Sequence, residues 1–584
     1  MARNIVMRHL PFAASTTTAQ AISYLLGVAL FSISFLVFLN SSISFVITDL
    51  IGVHDGVGDI VGTLGFVDEL VALIACPIWG LVSDRLGVRF VAMVGYAVIG
   101  ISLFVFVQAS NVYPQLLLAR ILFAIGATAT ATMVTAALPC LTDDSDSLDP
   151  HAEQPALIST HNARDSVALS VESELTITPE RYRSNGPETE EETHEEAQGK
   201  PAVLAGYVGL FTGLGALVSL IVFLPLPSQF SKIEGVEIGE AVQYAYYVVG
   251  SISILVASFV YIGLRKLKGE EGKGFRTLFG LKKRKLADGS EPPKRSFLPY
   301  RQLLREAVVL GFTDSQIGLG YLGGFVARAS TVAISAFIPL FVKVYYLDHI
   351  SNGDQRKAYI LASILTGVAQ LFALIFAPVF GYLSRRRGRF NYPIVVATAF
   401  GIVGYISFPH LSSPEVKNVD GRGGSPAVFV LVALIGISQI GAIVCSLGSL
   451  GKGVLSTDSP SSTKSSANSR GEAPLLANDY QEGEDDGASN AREDTSLLPN
   501  GSSSPKTNTR TKRILLKGTI AGVYSWCGGA AILLLTKLGG FLFDRSSHGA
   551  PFYMMAAFNA VLLVATLVVD ATRLVRDQSR NKRA

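Results

Sequence analysis

The sequence predicts an all-α membrane protein: twelve transmembrane helices in two pseudo-symmetric six-helix bundles, with long disordered cytosolic loops. Three observations predict it. The 584-residue chain is 49% hydrophobic and only 16% charged, with a mean hydropathy of +0.39, whereas a soluble chain carries roughly 25% charged residues. Its charges are segregated, leaving long runs nearly free of them. A basic turn motif also occurs twice, about half a chain apart: Gly80-Leu81-Val82-Ser83-Asp84-Arg85-Leu86-Gly87-Val88-Arg89 and Gly381-Tyr382-Leu383-Ser384-Arg385-Arg386-Arg387-Gly388-Arg389. Each copy follows an apolar stretch containing a proline (Pro77, Pro378) and precedes another apolar stretch. A short basic turn between spans, repeated at half the chain length, marks a duplicated bundle.

A cytosolic N-tail occupies 1–20. It resembles no cleavable signal, because the apolar run after Ser15–Thr18 is too long for one. A bilayer core of ~30 Å needs about 20 apolar residues per helix. On that template the first six spans lie near 21–46, 59–80, 90–109, 113–137, 203–226 and 242–265, and the second six near 318–343, 357–380, 392–409, 426–450, 515–538 and 551–572. The N-terminal bundle is thus 21–140 with 202–265, and the C-terminal bundle 318–452 with 514–573. A basic cytosolic linker, 266–317, joins them through Lys282-Lys283-Arg284-Lys285, and 574–584 forms a cytosolic C-tail. Two polar insertions follow spans four and ten, which are equivalent positions. Residues 141–201 are acidic (Glu190-Glu191-Glu192, Glu195-Glu196), and 453–513 are rich in Ser, Asn, Gly and Asp. Neither has the apolar surface to fold alone, so both are expected to be disordered. Lys and Arg in the short loops after spans two and eight, in the linker and in the C-tail place both termini in the cytosol.

The remaining composition narrows the function by exclusion. A net charge of +3 gives no reason to expect a nucleic-acid partner. Four scattered cysteines show neither a disulfide framework nor metal-ligand spacing, and read as small buried packing residues. No nucleophile–base pair, metal cluster or Walker-type loop appears, so neither an enzyme nor a cofactor is expected and a gradient rather than ATP would drive any transport. The expected partners are the lipid bilayer, a small-molecule substrate and a proton gradient, acting on a monomer.

Gly80 in the motif lets two helices approach closely, and Gly87 supplies a tight turn. Asp84 can cap a helix start or pair with a base from another span. Arg85 and Arg89 are expected to anchor the turn in the phosphate region. Gly80–Arg89 resembles the loop 2–3 motif of the major facilitator superfamily, and the repeat, the twelve spans and the linker fit that family across the whole chain. In the second copy Gly381, Arg386 and Gly388 are kept, but Arg385 stands at the position of Asp84. The resemblance therefore implies a cytosolic latch mainly in the N-half. A narrower resemblance, over about 35–137, is to drug:proton antiporters and vesicular monoamine transporters. It rests on Phe38-Leu39-Asn40, Phe45-Val46-Ile47-Thr48, the Gly80 motif, and Leu117-Leu118-Ala119-Arg120 with Gly126. It implies a role for Arg120 in proton movement. Two departures stand out: Asn40 occupies a position that is often acidic in those relatives, and span five lacks their Gly-Pro pair.

Intramembrane charges are costly and so become candidates. Asp68 and Glu69 lie roughly 18 Å from Gly80 at 1.5 Å per residue, near the midplane, and point about 100° apart. Either could be a proton or cation site. Arg328 lies at comparable depth in span seven, and pairing with Asp68 or Glu69 across the two halves is expected, with an anionic substrate as the alternative. Arg120 would be a relay residue or a partner of backbone carbonyls. Uncharged candidates for a central cavity are Asn40, Ser41, Gln243, Tyr247, Gln370, Gln439, Tyr524 and Trp526; each also reads as helix-packing polarity. Glu493 with Leu497 and Leu498 fits an acidic-dileucine sorting motif, which implies sorting adaptors and a vacuolar or endosomal membrane, the plasma membrane being the alternative. The leading expectation is a proton-coupled secondary transporter, an antiporter of a drug-like or cationic metabolite. A uniporter or symporter of a neutral or anionic metabolite and a non-transporting receptor are the alternatives.

Overall fold

The computed structural model describes residues 10–54, 57–143, 187–268, 270, 273–274, 278, 300–349, 355–385, 390–417, 423–455, 513 and 516–581. Among them there is helix and no strand. Twelve helices are long and apolar enough to cross a membrane: α1 (Thr18–Leu50), α2 (Ile60–Leu86), α3 (Val88–Phe106), α4 (Val112–Thr142), α5 (Gly199–Phe230), α6 (Ile238–Gly263), α7 (Ser315–Tyr346), α8 (Ile360–Leu383), α9 (Tyr392–His410), α10 (Ala427–Leu455), α11 (Lys517–Arg545) and α12 (Ala550–Arg576). They form the two six-helix bundles that the repeat predicts. Within each half, the third and sixth helices pack against one another or against the fourth: α3 on α4 and α6, and α9 on α10 and α12. The halves meet through α2–α11, α4–α11, α5–α8 and α5–α10.

Local chemistry sets the helix ends and moves several of them from their expected places. Thr17 and Gln20 form a reciprocal capping box, so α1 starts at Thr18. Asp314 accepts hydrogen bonds from the N–H groups of Gln316 and Ile317, so α7 starts at Ser315 rather than at 318. Arg513 holds that cap in place, donating to Asp314 at 2.9 Å and to the Gly453 carbonyl at 3.1 Å. Inside the linker, residues Tyr300–Thr313 form a further helix that buries Leu303 and Ala307. The α5 helix begins upstream of its span, at Pro187. Residues 187–201 of the expected disordered loop are therefore helical. The rest of both insertions, the sorting motif at Glu493, Leu497 and Leu498, and Arg386 and Gly388 lie outside the described residues.

Between lipid-facing helices there is no hydrophobic driving force, so close approach of small residues supplies the packing. The tightest crossings between the halves gather at the end that bears the motifs. A Cβ on Gly80 would lie 2.6 Å from the Gly518 carbonyl oxygen and 2.9 Å from the Gly522 Cα. A Cβ on Gly381 would lie 2.7 Å from the Gly206 Cα, and one on Gly448 would lie 3.0 Å from the Ala202 Cα. Toward the other end, Gly62 and Gly65 in α2, Gly367 in α8 and Gly540 in α11 meet nothing within 4 Å. The closest crossings between the halves named here thus lie at the motif end.

Candidate functional site

Three helices of the N-half meet at mid-depth. Arg120 of α4 is buried, and its Nε donates to Asp68 Oδ1 of α2 at 2.9 Å. Its Nη2 donates to Asp68 Oδ2 and, at 2.5 Å, to Asn40 Oδ1 of α1. Nη1 has no partner among the described residues. Asn40 is exposed although bonded to a buried arginine, so the triad opens onto accessible space. This corrects two expectations. Asp68 pairs within its own half, not with Arg328, and Arg120 takes side chains rather than backbone carbonyls as partners. A fork of guanidinium donors matches a carboxylate better than it matches a helix whose carbonyls are already bonded.

Glu69, about 100° round α2 from Asp68, takes no part in the triad's hydrogen bonds. It has no hydrogen bond or ion pair among the described residues, and neither has Arg328. The stem of Arg328 lies against α11, where a Cβ on Gly528 would be 2.7 Å from its Cγ. Next to Gly528, Gly529 faces the backbone nitrogen of Leu73, one turn from Glu69. Two turns from Gly528 on α11, Lys537 stands 4.0 Å from the centroid of the Phe66 ring of α2. The sequence reading missed this cation–π contact because Lys537 reads as an end-of-span anchor.

The motif end carries a second cluster. Asp84 is buried and accepts from the N–H groups of Gly518 and Thr519 at 2.7 Å each, and from the Thr519 hydroxyl at 2.5 Å. It caps the start of α11, a helix of the other half. Beside it Lys517, almost fully buried, lies 3.0 Å from Glu270 Oε1 and donates to Cys140 Sγ at 2.5 Å. Lys273 pairs with the same Glu270 oxygen at 3.4 Å. Burial raises the Glu270 carboxyl, but Lys517 and Lys273 more than offset it and hold it below the usual carboxylate range. Burial and Lys517 push the Lys273 ammonium down. The cluster thus ties together α2, α4, α11 and the inter-bundle linker. Sequence reading missed Glu270, Lys273 and Lys517, although the Glu270-Glu271 pair in a basic linker was a usable signal.

Gly87 turns with φ +100°, a conformation that favours glycine, and a Cβ there would strike the Glu270 carboxylate. Arg85 lies 3.8 Å above the Tyr300 ring of the linker helix, and Arg89 donates to the Tyr261 carbonyl at 2.6 Å while stacking on that ring. In the second copy, Arg385 packs by its stem against Gly199 of α5.

The uncharged candidates divide. Asn40 joins the triad, and Ser41 follows it on α1. Gln439 donates to Thr331 at 3.0 Å and leaves its Oε1 buried without a partner. Gln370 and Trp526 are exposed. Gln243 and Tyr247 instead bond to α3, at the Val107 carbonyl (3.5 Å) and Gln108 (2.5 Å), because that face of α6 packs on α3. Tyr524 is buried against Gly324 and shares a 3.1 Å hydrogen bond with Ser446, a packing role. Three cysteines are buried and Cys527 is half-buried; all four are free.

A sequence profile described as Major Facilitator Superfamily matches residues 30–146 and 200–466. Among curated proteins, none matches this chain in sequence. Among solved structures, that of the proton:xylose symporter XylE, bound to 6-bromo-6-deoxy-D-glucose, is similar with a TM-score of 0.50 and 11% identity, covering 94% of this chain and 94% of that one. The human organic anion transporter MFSD10 is similar with a TM-score of 0.46 and 12% identity, covering 94% of this chain and all of the other. Such identities speak to the fold alone.

Proposed function

The chain belongs to the major facilitator superfamily, whose fold supports secondary transport of a small solute, and we propose that it is a proton-coupled transporter working by alternating access. The observation that carries this reading is the Asp68–Arg120–Asn40 triad, a buried ion pair that reaches the surface at the exposed Asn40. A proton on Asp68 cancels the coulombic part of that pair. Arg120, with one guanidinium nitrogen already unpartnered, is then free to rearrange. A charge change at mid-depth between two bodies is what converts a gradient into a rocking motion.

The motif end is the cytosolic gate in this reading, in line with its Lys and Arg. Asp84 holds it shut by capping α11, and the state described here faces away from the cytosol. Coupling by exchange, as in the antiporters that 35–137 resembles, is the form we propose. The acidic-dileucine motif at Glu493, Leu497 and Leu498 would direct the protein to a vacuolar or endosomal membrane. There an acidic lumen would face the side away from the motifs and protonate Asp68.

The test is uptake by full-length protein in proteoliposomes, with and without a pH gradient. Wild type should accumulate solute only with the gradient. Asp68→Asn should abolish gradient-driven accumulation and preserve solute exchange. Accumulation that ignores the pH gradient in wild type would remove proton coupling from the proposal.

A further inference from the structure

Among the charged side chains within the described spans, Asp68, Arg120 and Lys537 have partners. Asp68 and Arg120 neutralise one another, and Lys537 sits on the Phe66 ring. Glu69 on α2 and Arg328 on α7 stand apart. Neither has a hydrogen-bond or ion-pair partner among the described residues, and each is only half-buried. Unpaired charges at such depth are expensive and are kept where they serve a pathway.

Their placement is specific. They belong to opposite halves, with the small residues Gly528 and Gly529 of α11 between them: Gly528 against the Arg328 stem, Gly529 against Leu73, one turn from Glu69. The adjacent Gly528 and Gly529 bring the helices that carry Glu69 and Arg328 together, yet the two lie farther apart than the 4.0 Å of an ion pair. The region between them therefore has an anion on one wall, a cation on the other and no net charge. A solute with one charge satisfies one wall and strands the other. A solute with both satisfies both, and draws the halves together as it does so.

We infer that Glu69 and Arg328 are a two-point clamp for a zwitterionic solute of amino-acid type, its ammonium on Glu69 and its carboxylate on Arg328. The inference rests on the transporter reading above and narrows its substrate from a cation or an anion to a molecule that is both. Lys537 at the Phe66 ring, three residues from Glu69, stands on the side away from the motifs, where it adds positive charge to the approach.

The test uses full-length wild type, Glu69→Gln and Arg328→Gln in proteoliposomes. Uptake of a radiolabelled mixture of the protein amino acids is measured with unlabelled amino-acid amides (ammonium only) and N-acetyl amino acids (carboxylate only) as competitors. Wild type should take up the mixture, with both competitors at least about 10-fold weaker than unlabelled amino acids. Each variant should lose uptake by at least about 10-fold. Melting in nanodiscs guards against misfolding and should separate the walls: Glu69→Gln stabilised only by N-acetyl amino acids, Arg328→Gln only by the amides. Wild-type uptake in both variants would overturn the clamp, as would equal loss of all three probe classes in folded variants, the signature of a helix lock. A wild type that moves other solutes but none of these would overturn the clamp and leave the transporter reading standing. A wild type that moves nothing under any gradient would overturn both.

Discussion

Gly80 and Gly381 occupy equivalent places in the two halves and do equivalent work. Each lets an even-numbered helix touch a helix of the opposite bundle, α2 on α11 and α8 on α5. Four residues further on, Asp84 and Arg385 part company. Asp84 finds the first N–H groups of α11 and caps them. Its counterpart meets α5, which is not starting at that point: the helix has already run from Pro187 and its amides are bonded internally. A carboxylate has nothing to cap there, and Arg385 packs against Gly199 instead. The comparison teaches that the motif divides into a steric part, needed wherever two helices cross, and an electrostatic part, useful only where a helix begins.

That division can be broken most forcefully at the glycines. Gly80→Val and Gly381→Val both put a branched side chain where backbone atoms lie within 3 Å of a bare Cβ, so each should part its crossing and reduce transport by well over about 10-fold. The two effects should be alike, and uptake in proteoliposomes measures both. Next in size is Asp84→Ala. It removes three hydrogen bonds, each worth about 1.5–3 kcal/mol at most, two of which are the cap of α11. It should populate the gate-open state at least about 10-fold more, read by labelling of a cysteine placed at the motif end. Arg385→Ala should change the same readout by less than about 3-fold.

Glu270→Gln should act several-fold, less than Asp84→Ala, because it leaves the cap intact and releases only Lys517 and Lys273. Its pH dependence has a definite sign. The folded-state carboxyl is held below its ordinary value of about 4.3. Its contribution to closure is therefore complete above that value and fades only as the pH falls through the depressed one. The difference in gate accessibility between wild type and Glu270→Gln should be flat from about pH 5 to 8 and should shrink only under stronger acid. The smallest effect belongs to Arg85→Lys, which keeps the charge but weakens stacking on Tyr300, a contact worth about 0.5–1 kcal/mol at an exposed site.

The fold was legible because its signals are large: apolar runs of bilayer length, charges swept to the loops and a repeated turn. Helix ends were less so, since α5 extends to Pro187 through a segment whose acidity reads as disorder. In the site, Asp68, Glu69, Arg120 and Arg328 stood out as charges where charge is costly. Their pairing did not. Which of two acids one residue apart meets Arg120 depends on helix rotation and on a neighbour, Asn40, from a third helix. Lys517 and Glu270 were hidden for a related reason: they lie far apart in sequence and meet only after the bundles close. Gln243 and Tyr247 look like cavity polarity from sequence and turn out to face α3, since a hydrogen bond to an adjacent helix leaves no pattern in the chain.

The most direct test of the gate is a pair of spin labels at the motif end of the full-length protein in nanodiscs, one on each half, read as a distance distribution by pulsed dipolar spectroscopy. In wild type the short-distance population should dominate. Asp84→Asn should shift weight to a longer distance, and Arg385→Ala should leave the distribution as in wild type. A distribution unmoved by Asp84→Asn, or moved as far by Arg385→Ala, would contradict the claim that one capped helix, in one half only, holds this end of the molecule closed.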